Sequence, residues 1–282
     1  IVKFQRKNVK HQISNDMKYG FIKVAAAVPA VKVADVVYNV QEIEKLISLA
    51  DSEHVEIVCF PELCITGYTC QDLFKEQLLL TKAEEGLLML LDFTRKLDVI
   101  AIVGLPVQAR GLLLNCAVVI QHGTILGVVP KTYLPNYNEF YEKRWFASAQ
   151  DLNPTDIYLA GTPVHLSSEP LLFQTCDGVR FGVEICEDVW APIPPSNNLT
   201  MAGAEIIFNC SASDELIGKH GYLRSLVAQQ SARTMSGYVY ASSGFGESTQ
   251  DVVYAGNAMI FENGKVLVEE AKIGRASCRE RV

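Results

Sequence analysis

The feature that most constrains this chain is an alternation. Short runs rich in Val, Ile and Ala recur along the sequence, separated by longer stretches whose apolar residues fall at helical spacing. The runs at 21–28, 55–60, 99–103, 116–120, 124–129, 179–185, 205–209, 237–241 and 257–261 read as strands. The stretches at 35–51, 73–97 and 219–235 read as helices. In the first of these, Val36, Val37, Val40, Ile43, Ile47 and Ala50 form an apolar stripe between acids and a lysine. The strand runs are apolar on both faces, so the sheet they build needs cover on both sides. Strands alternating with helices predict a mixed α/β fold. Two hairpin signals, QHGT at 121–124 and ENGK at 262–265, add antiparallel pairs, the second through an Asn-Gly suited to a type I′ turn.

The ends lack this pattern. Residues 1–16 are polar and basic, and Met17 opens the patterned region, so we expect an N-terminal extension at 1–16 and one domain over 17–273. Residues 274–282 (GRASCRERV) are also basic and unpatterned, and are expected to be an added tail or a flexible end outside the fold.

Charge excludes one class of partner. The net charge of −7 includes an excess of Lys and Arg at both ends, so the body between them carries −12. A body this acidic argues against binding a nucleic-acid backbone. No uncharged apolar run reaches the ~18 residues of a membrane span. The eight cysteines form no C-x-x-C, and the five histidines give no zinc spacing, so no metal site is expected. Asp214, Glu215 and His220 make no persuasive metal set either. With no secretory h-region at the N-terminus, the cysteine usage predicts a reducing, cytoplasmic compartment.

Three polar residues share one position. Glu62 follows VEIVCF and Pro61; Lys131 follows TILGVV and Pro130; Cys186 directly follows VRFGVEI. Each stands at the carboxyl end of an expected strand, where α/β sheets gather their ligands. Taken singly each has an ordinary explanation: a cap, a solvated loop charge, an inert core thiol. Taken together they form a workable set for cleaving an amide without histidine. A thiolate attacks, a carboxylate moves the proton, and an ammonium stabilises an oxyanion.

At these residues the chain resembles a known family. The strings FPELCITGY (60–68), PKTYLPNYNEFYEKRWF (130–146) and GVEICEDVW (182–190) are similar, in order and spacing, to the three motifs of the carbon–nitrogen hydrolase (nitrilase) superfamily. The fuller forms, LPNY with E-x-R-x-F and ICED-x-W, resemble the glutaminase domain of the glutamine-dependent NAD synthetase branch. The likeness covers about residues 17–270.

That resemblance implies a four-layer α-β-β-α sandwich and a Glu62, Lys131, Cys186 triad. It implies that Glu142 helps to order the site. It places Tyr137, Ser213 (in NCSAS, 209–213) and Lys219 at the glutamine side, with Glu187, Trp190 and Tyr68 as further pocket residues. Ordinary readings stay open: packing for Tyr137 and Tyr68, and a helix N-cap or turn for Ser213.

The expected activity is therefore a glutamine amidohydrolase that releases ammonia through a Cys186 thioester, needing no metal or organic cofactor. ATP and Mg²⁺ would belong only to a synthetase domain. Its S-G-G-x-D-S loop does not occur in this sequence, and neither does a Walker loop. Such a domain is the expected partner in a longer protein, and family likeness implies a homo-oligomer. A stand-alone amidase on another small amide or nitrile is the alternative within the fold. A non-catalytic oligomerising domain is the alternative outside it.

Overall fold

The structure, a computed structural model, describes residues 20–270 and the backbone of 276–281. The chain runs β1 (Lys23–Val28), α1 (Val36–Ser52), β2 (Ile57–Cys59), α2 (Gln77–Phe93), β3 (Ile100–Ala109), β4 (Leu112–Gln121) and β5 (Thr124–Pro130). A small hairpin follows, β6 (Thr155–Leu159) with β7 (Thr162–Leu166). The second half is β8 (Leu172–Gln174), β9 (Arg180–Ile185), α3 (Pro195–Met201), β10 (Ile206–Ser211), α4 (Lys219–Thr234), β11 (Gly237–Ser242), β12 (Ala258–Glu262), β13 (Lys265–Glu270) and β14 (Ala276–Arg281).

Two six-stranded sheets result, ordered β14-β1-β2-β3-β4-β5 and β13-β12-β11-β10-β9-β8. Each has a parallel centre, β1-β2-β3 in one and β9-β10-β11 in the other, flanked by antiparallel strands. Strand residues alternate between faces, and here each face has its own core. Val24, Ala26, Ile57, Cys59, Ile102 and Val119 meet Phe181, Val183, Ile185, Phe208, Cys210 and Val239 between the sheets. Ala25, Val58, Val103 and Val118 face Val40, Ile43, Ala83 and Leu87 of α1 and α2. Ile207, Tyr238, Tyr240 and Met259 face Leu199, Leu223 and Val227 of α3 and α4. This is the expected α-β-β-α sandwich. It explains why the strand runs place apolar residues on both faces.

Most expected elements are present. α1 begins at the N-cap Asp35, whose carboxylate accepts the Tyr38 amide at 3.2 Å. Its buried stripe holds Val36, Val40, Ile43, Ile47 and Ala50, whereas Val37 lies half exposed beside it. Both expected hairpins turn through two residues of positive φ, His122-Gly123 and Asn263-Gly264, as type I′ turns require.

The differences have local causes. The stretch 73–97 is not one helix: a 3-10 segment (Tyr68–Lys75) and an extended Glu76 precede α2. β3 runs to Ala109, six residues past the expected end at 103 and through Pro106. Beyond Ile102 it pairs with β4 alone, and a strand with one neighbour tolerates a missing N–H. The β6–β7 hairpin and α3 carry too little apolar periodicity to be read from sequence. Residues 276–281, expected outside the fold, pair antiparallel with β1 from Lys23↔Arg281 to Val28↔Ala276. β1 would otherwise be an open edge, which offers a ladder to any extended segment. The expected extension at 1–16 lies outside the described residues. Among the described residues no helix is long and apolar enough to cross a membrane.

Candidate active site

Glu62, Lys131 and Cys186 leave strands that point the same way, β2 and β5 of one sheet and β9 of the other. Sharp turns place two of them. Leu63, next to Glu62, has φ 51°, and Cys186 itself has φ 44°. Both are left-handed conformations that cost a non-glycine residue energy and persist only where the surroundings hold them. The Glu62 amide donates to Ser211 O across the two sheets at 3.2 Å, so the turn after β2 is tied to the end of β10.

Gly104 of β3 lies directly under the first turn. A Cβ there would stand 2.3 Å from the Leu63 nitrogen and 3.0 Å from the Glu62 carbonyl carbon. Gly104→Ala must therefore push the Glu62 turn outward. We expect overpacking to cost roughly 1–3 kcal/mol, read by thermal unfolding, together with a fall in turnover. Unchanged turnover would show that the Glu62 backbone position is not critical.

The triad residues are almost fully enclosed; Glu62 and Lys131 are each 1% exposed and Cys186 5%. Lys131 Nζ donates to Glu62 Oε1 at 2.5 Å and to Glu142 Oε1 and Oε2 at 2.7 and 2.9 Å. Asn115 Nδ2 donates to the same Glu62 Oε1 at 2.6 Å, and the Asn115 carbonyl accepts the Lys131 amide at 2.8 Å. Tyr68 OH donates to Glu142 Oε1 at 2.7 Å. Glu62 Oε2 is buried and has no partner. One oxygen of Glu62 is thus held by two donors while the other is left to accept a proton.

Burial pushes the Glu62 carboxyl up to about 7, against the pull of Lys131. Burial also opposes the Lys131 charge, but Glu142 and Glu62 outweigh it and hold the ammonium well above its usual value. The Cys186 thiol is pushed up by burial and by Glu62, and pulled down by Lys131 and the Ser211 hydroxyl. A neutral thiol beside a base of near-neutral pKa suits proton transfer coupled to attack.

Asp188 joins the two halves of the site. Its Oδ2 accepts the Ile185 amide at 2.9 Å, and its Oδ1 accepts the amides of Thr132 and Tyr133 at 3.2 and 2.8 Å. The cysteine turn and the lysine loop therefore hang on one carboxylate. Glu247 does the same for the Tyr68 loop, accepting the Tyr68 and Thr69 amides at 2.6 and 3.0 Å.

The remaining candidates divide. Tyr137, Glu187, Trp190 and Lys219 form one polar and aromatic rim. Tyr137 OH donates to both Glu187 oxygens at 2.9 Å, and Lys219 Nζ lies 5.6 Å from the ring centres of Phe140 and Trp190 while paired with Asp214. Trp190 stacks on Tyr222. Ser213 is buried, its amide donating to Ser242 Oγ at 3.1 Å. It does not cap α4, whose N-cap is Gly218. Tyr68 is buried against Tyr254 and serves Glu142.

Two clefts flank this group. One of about 710 Å³ is lined by Thr132, Tyr133, Lys143, Glu187, Trp190 and Pro192. One of about 190 Å³ is lined by Tyr68, Phe140, Tyr141, Trp145 and Tyr254. A third cleft, at Asp51, Glu56, Asp98 and Asp177, lies at the amino ends of β2, β3 and β9, away from the triad.

Sequence reasoning missed Asn115, Asp188, Asn209 and Glu247. The signal for Asn115 was a lone amide in the run LLLNCAVVIQ; Asp188 and Asn209 lay inside strings already singled out. Nothing local distinguished Glu247.

Comparison with known proteins adds three findings. A family profile described as carbon-nitrogen hydrolase matches residues 23–272. The glutamine-dependent NAD(+) synthetase of Mycobacterium tuberculosis is 38% identical over 257 residues, covering 90% of this chain and 38% of its own length. This chain therefore spans under two fifths of that relative. Among solved structures, a glutamine-dependent NAD(+) synthetase from Cytophaga hutchinsonii superposes with a TM-score of 0.82 at 28% identity, over 93% of this chain and 43% of that one. An amidase from Nesterenkonia sp. superposes at 0.73 with 16% identity, over 93% and 90%, a likeness of fold.

Proposed function

We propose, for a chain that belongs to the carbon–nitrogen hydrolase family, that this site hydrolyses the side-chain amide of glutamine to glutamate and ammonia. The observation that carries the reading is the division of Glu62: Oε1 is tied to Lys131 and Asn115, and the buried Oε2 has no partner. That oxygen takes the Cys186 proton as sulfur attacks the amide carbon. The oxyanion is met by the backbone N–H of Glu187, early in the turn where amides have no helical acceptor, and by Lys131 Nζ, which turns one of its three N–H groups from Glu142 to it. Glu62 passes its proton to the departing nitrogen and ammonia leaves. Water, activated by the same carboxylate, then cleaves the thioester.

The rim suits an amino-acid head group. Glu187 offers a carboxylate to an α-amino group, Lys219 an ammonium to an α-carboxylate, and Tyr137 and Ser213 supply hydroxyls. Trp190 and Phe140 wall the aliphatic stem. The likeness to longer glutamine-dependent NAD(+) synthetases supports glutamine as substrate and a synthetase domain as the consumer of ammonia. In that arrangement ATP and Mg²⁺ serve the synthetase domain, and this half-reaction needs neither. A cytoplasmic homo-oligomer is the accompanying expectation.

The test is ammonia release from glutamine, asparagine and a short nitrile panel, with Cys186→Ala as control. Glutamine should be preferred. Preference for another amide would favour the stand-alone amidase, and no release at all would favour a non-catalytic role. Because Glu62 must be ionised to act and its pKa is raised to about 7, kcat/KM should fall as pH drops below about 7. A profile flat from pH 5 to 8 would remove Glu62 as the base.

A further inference from the structure

The Cys186 turn is held from behind by a chain of side chains that the mechanism does not use. The Cys186 amide donates to Asn209 Oδ1 at 3.0 Å. Asn209 Nδ2 donates to Tyr238 OH at 3.1 Å. Tyr238 OH donates to Glu184 Oε1, and Glu184 Oε2 accepts the Ser196 amide at 2.8 Å. Glu184, Ser196, Asn209 and Tyr238 are all 0% exposed. Burial raises the Glu184 carboxyl, while Tyr238, Ser196 and Asn209 pull it down.

Counting donors fixes the direction of this chain. The Cys186 N–H needs an acceptor, so the Asn209 oxygen must face it and the Asn209 nitrogen must face Tyr238. The Tyr238 oxygen accepts from that nitrogen, so its single proton goes on to Glu184. Both Glu184 oxygens then accept from donors, which an ionised carboxylate satisfies at both, although burial raises its pKa.

We propose that Glu184, Tyr238 and Asn209 are positioning residues forming a one-way hydrogen-bond relay that holds Cys186 in its left-handed turn. The relay's polarity starts at the Glu184 carboxylate. It keeps the Cys186 amide engaged, so that sulfur and the following N–H face the reaction site. The inference rests on Cys186 being the nucleophile, not on glutamine being the substrate.

Reversing the relay tests it. Glu184→Gln leaves one acceptor where two are needed, setting donor against donor at Tyr238 or at Ser196. Asn209→Asp makes two buried carboxylates compete for the Tyr238 proton. The double variant satisfies every group again. The new carboxylate accepts from Cys186 and Tyr238, and the new amide donates to the Tyr238 oxygen and accepts from Ser196. The buried charge has only changed ends.

The readout is the rate of Cys186 alkylation by iodoacetamide, located by mass spectrometry, beside kcat and KM for ammonia release from glutamine. Each single variant should slow alkylation and kcat between about 5- and 150-fold, as for one unsatisfied buried group, with KM within about 3-fold. The double variant should exceed the better single variant by at least about 5-fold, a coupling that packing alone would not produce. In a Tyr238→Phe background the same reversal should restore nothing.

Single variants that match the unaltered chain, or a double variant no faster than the better single, overturn the relay. Should the single variants not fold, cooperative unfolding must return in the double, and its absence overturns the relay too. An unaltered chain with inert Cys186 would instead overturn the site assignment itself.

Discussion

Glu62→Gln should fold normally and lose about 10²–10⁴ in turnover, the usual cost of removing a general base. The substitution keeps an oxygen for Lys131 and Asn115, which already converge on Glu62 Oε1. It replaces the unpartnered Oε2 by an amide that takes no proton at neutral pH. Lys131 retains both oxygens of Glu142, so the ammonium stays in place. The acid limb near pH 7 should vanish along with the activity, and the thermal midpoint should move little. Retention of more than about a tenth of the activity would lie outside that range and remove Glu62 as the base.

Lys131→Met should damage stability as well as rate. From sequence, Lys131→Met keeps side-chain length and removes the charge, so a folded, inactive variant is expected. In the structure the ammonium is 1% exposed between Glu62 and Glu142, themselves 1% exposed. Removing one partner of a buried ion group typically costs about 3–5 kcal/mol, because charge is left uncompensated. In a domain of this size that lowers the thermal midpoint by roughly 6–20 °C. The loss of one oxyanion stabiliser removes a further ~10²–10³ in rate.

The pH dependence has a definite sign. Without the ammonium, a buried carboxylate is more easily protonated folded than unfolded. Such a raised folded pKa favours the native state at low pH, and that advantage is lost as pH rises through it. The variant should therefore unfold at a higher temperature at pH 5 than at pH 8, relative to the unaltered chain. Equal midpoints for the two proteins at pH 8 would mean that Lys131 is not the counter-ion of this cluster.

Both expectations show how local pattern and tertiary setting divide the information. The need for cover on both faces was legible because burial writes directly into strands: VIAIV (99–103) and CAVVI (116–120) are apolar on successive residues only if both faces are covered. The turns His122-Gly123 and Asn263-Gly264 were legible because a two-residue hairpin demands positive φ at both positions. Less was legible where the chain departs from periodicity. The 3-10 segment Tyr68–Lys75 carries Gln71 at φ 51°, and its Asp72 turns to Arg144 and Trp145. No window of neighbouring residues contains those partners.

The site was half legible for the same reason. Glu62, Lys131 and Cys186 announce themselves because each is a reactive side chain at the end of an apolar run. Asn115, Asp188 and Asn209 do not, because their roles lie in backbone and side-chain atoms brought from other strands. Asp188 matters through the amides of Ile185, Thr132 and Tyr133, and Asn209 through the amide of Cys186, 23 residues earlier.

The sequence by itself determined a mixed α/β fold covered on both faces and nominated its reactive side chains, since apolar periodicity and strand-end position are properties of neighbours along the chain; the sandwich itself followed only from the family resemblance. Only the tertiary structure decided which oxygen of Glu62 remains open, that Lys131 is enclosed rather than solvated, and which groups hold the Cys186 turn. Those outcomes depend on donors and acceptors from distant segments meeting in a site without water to replace them, where each unmatched group is costly. Nothing in a linear pattern records that matching.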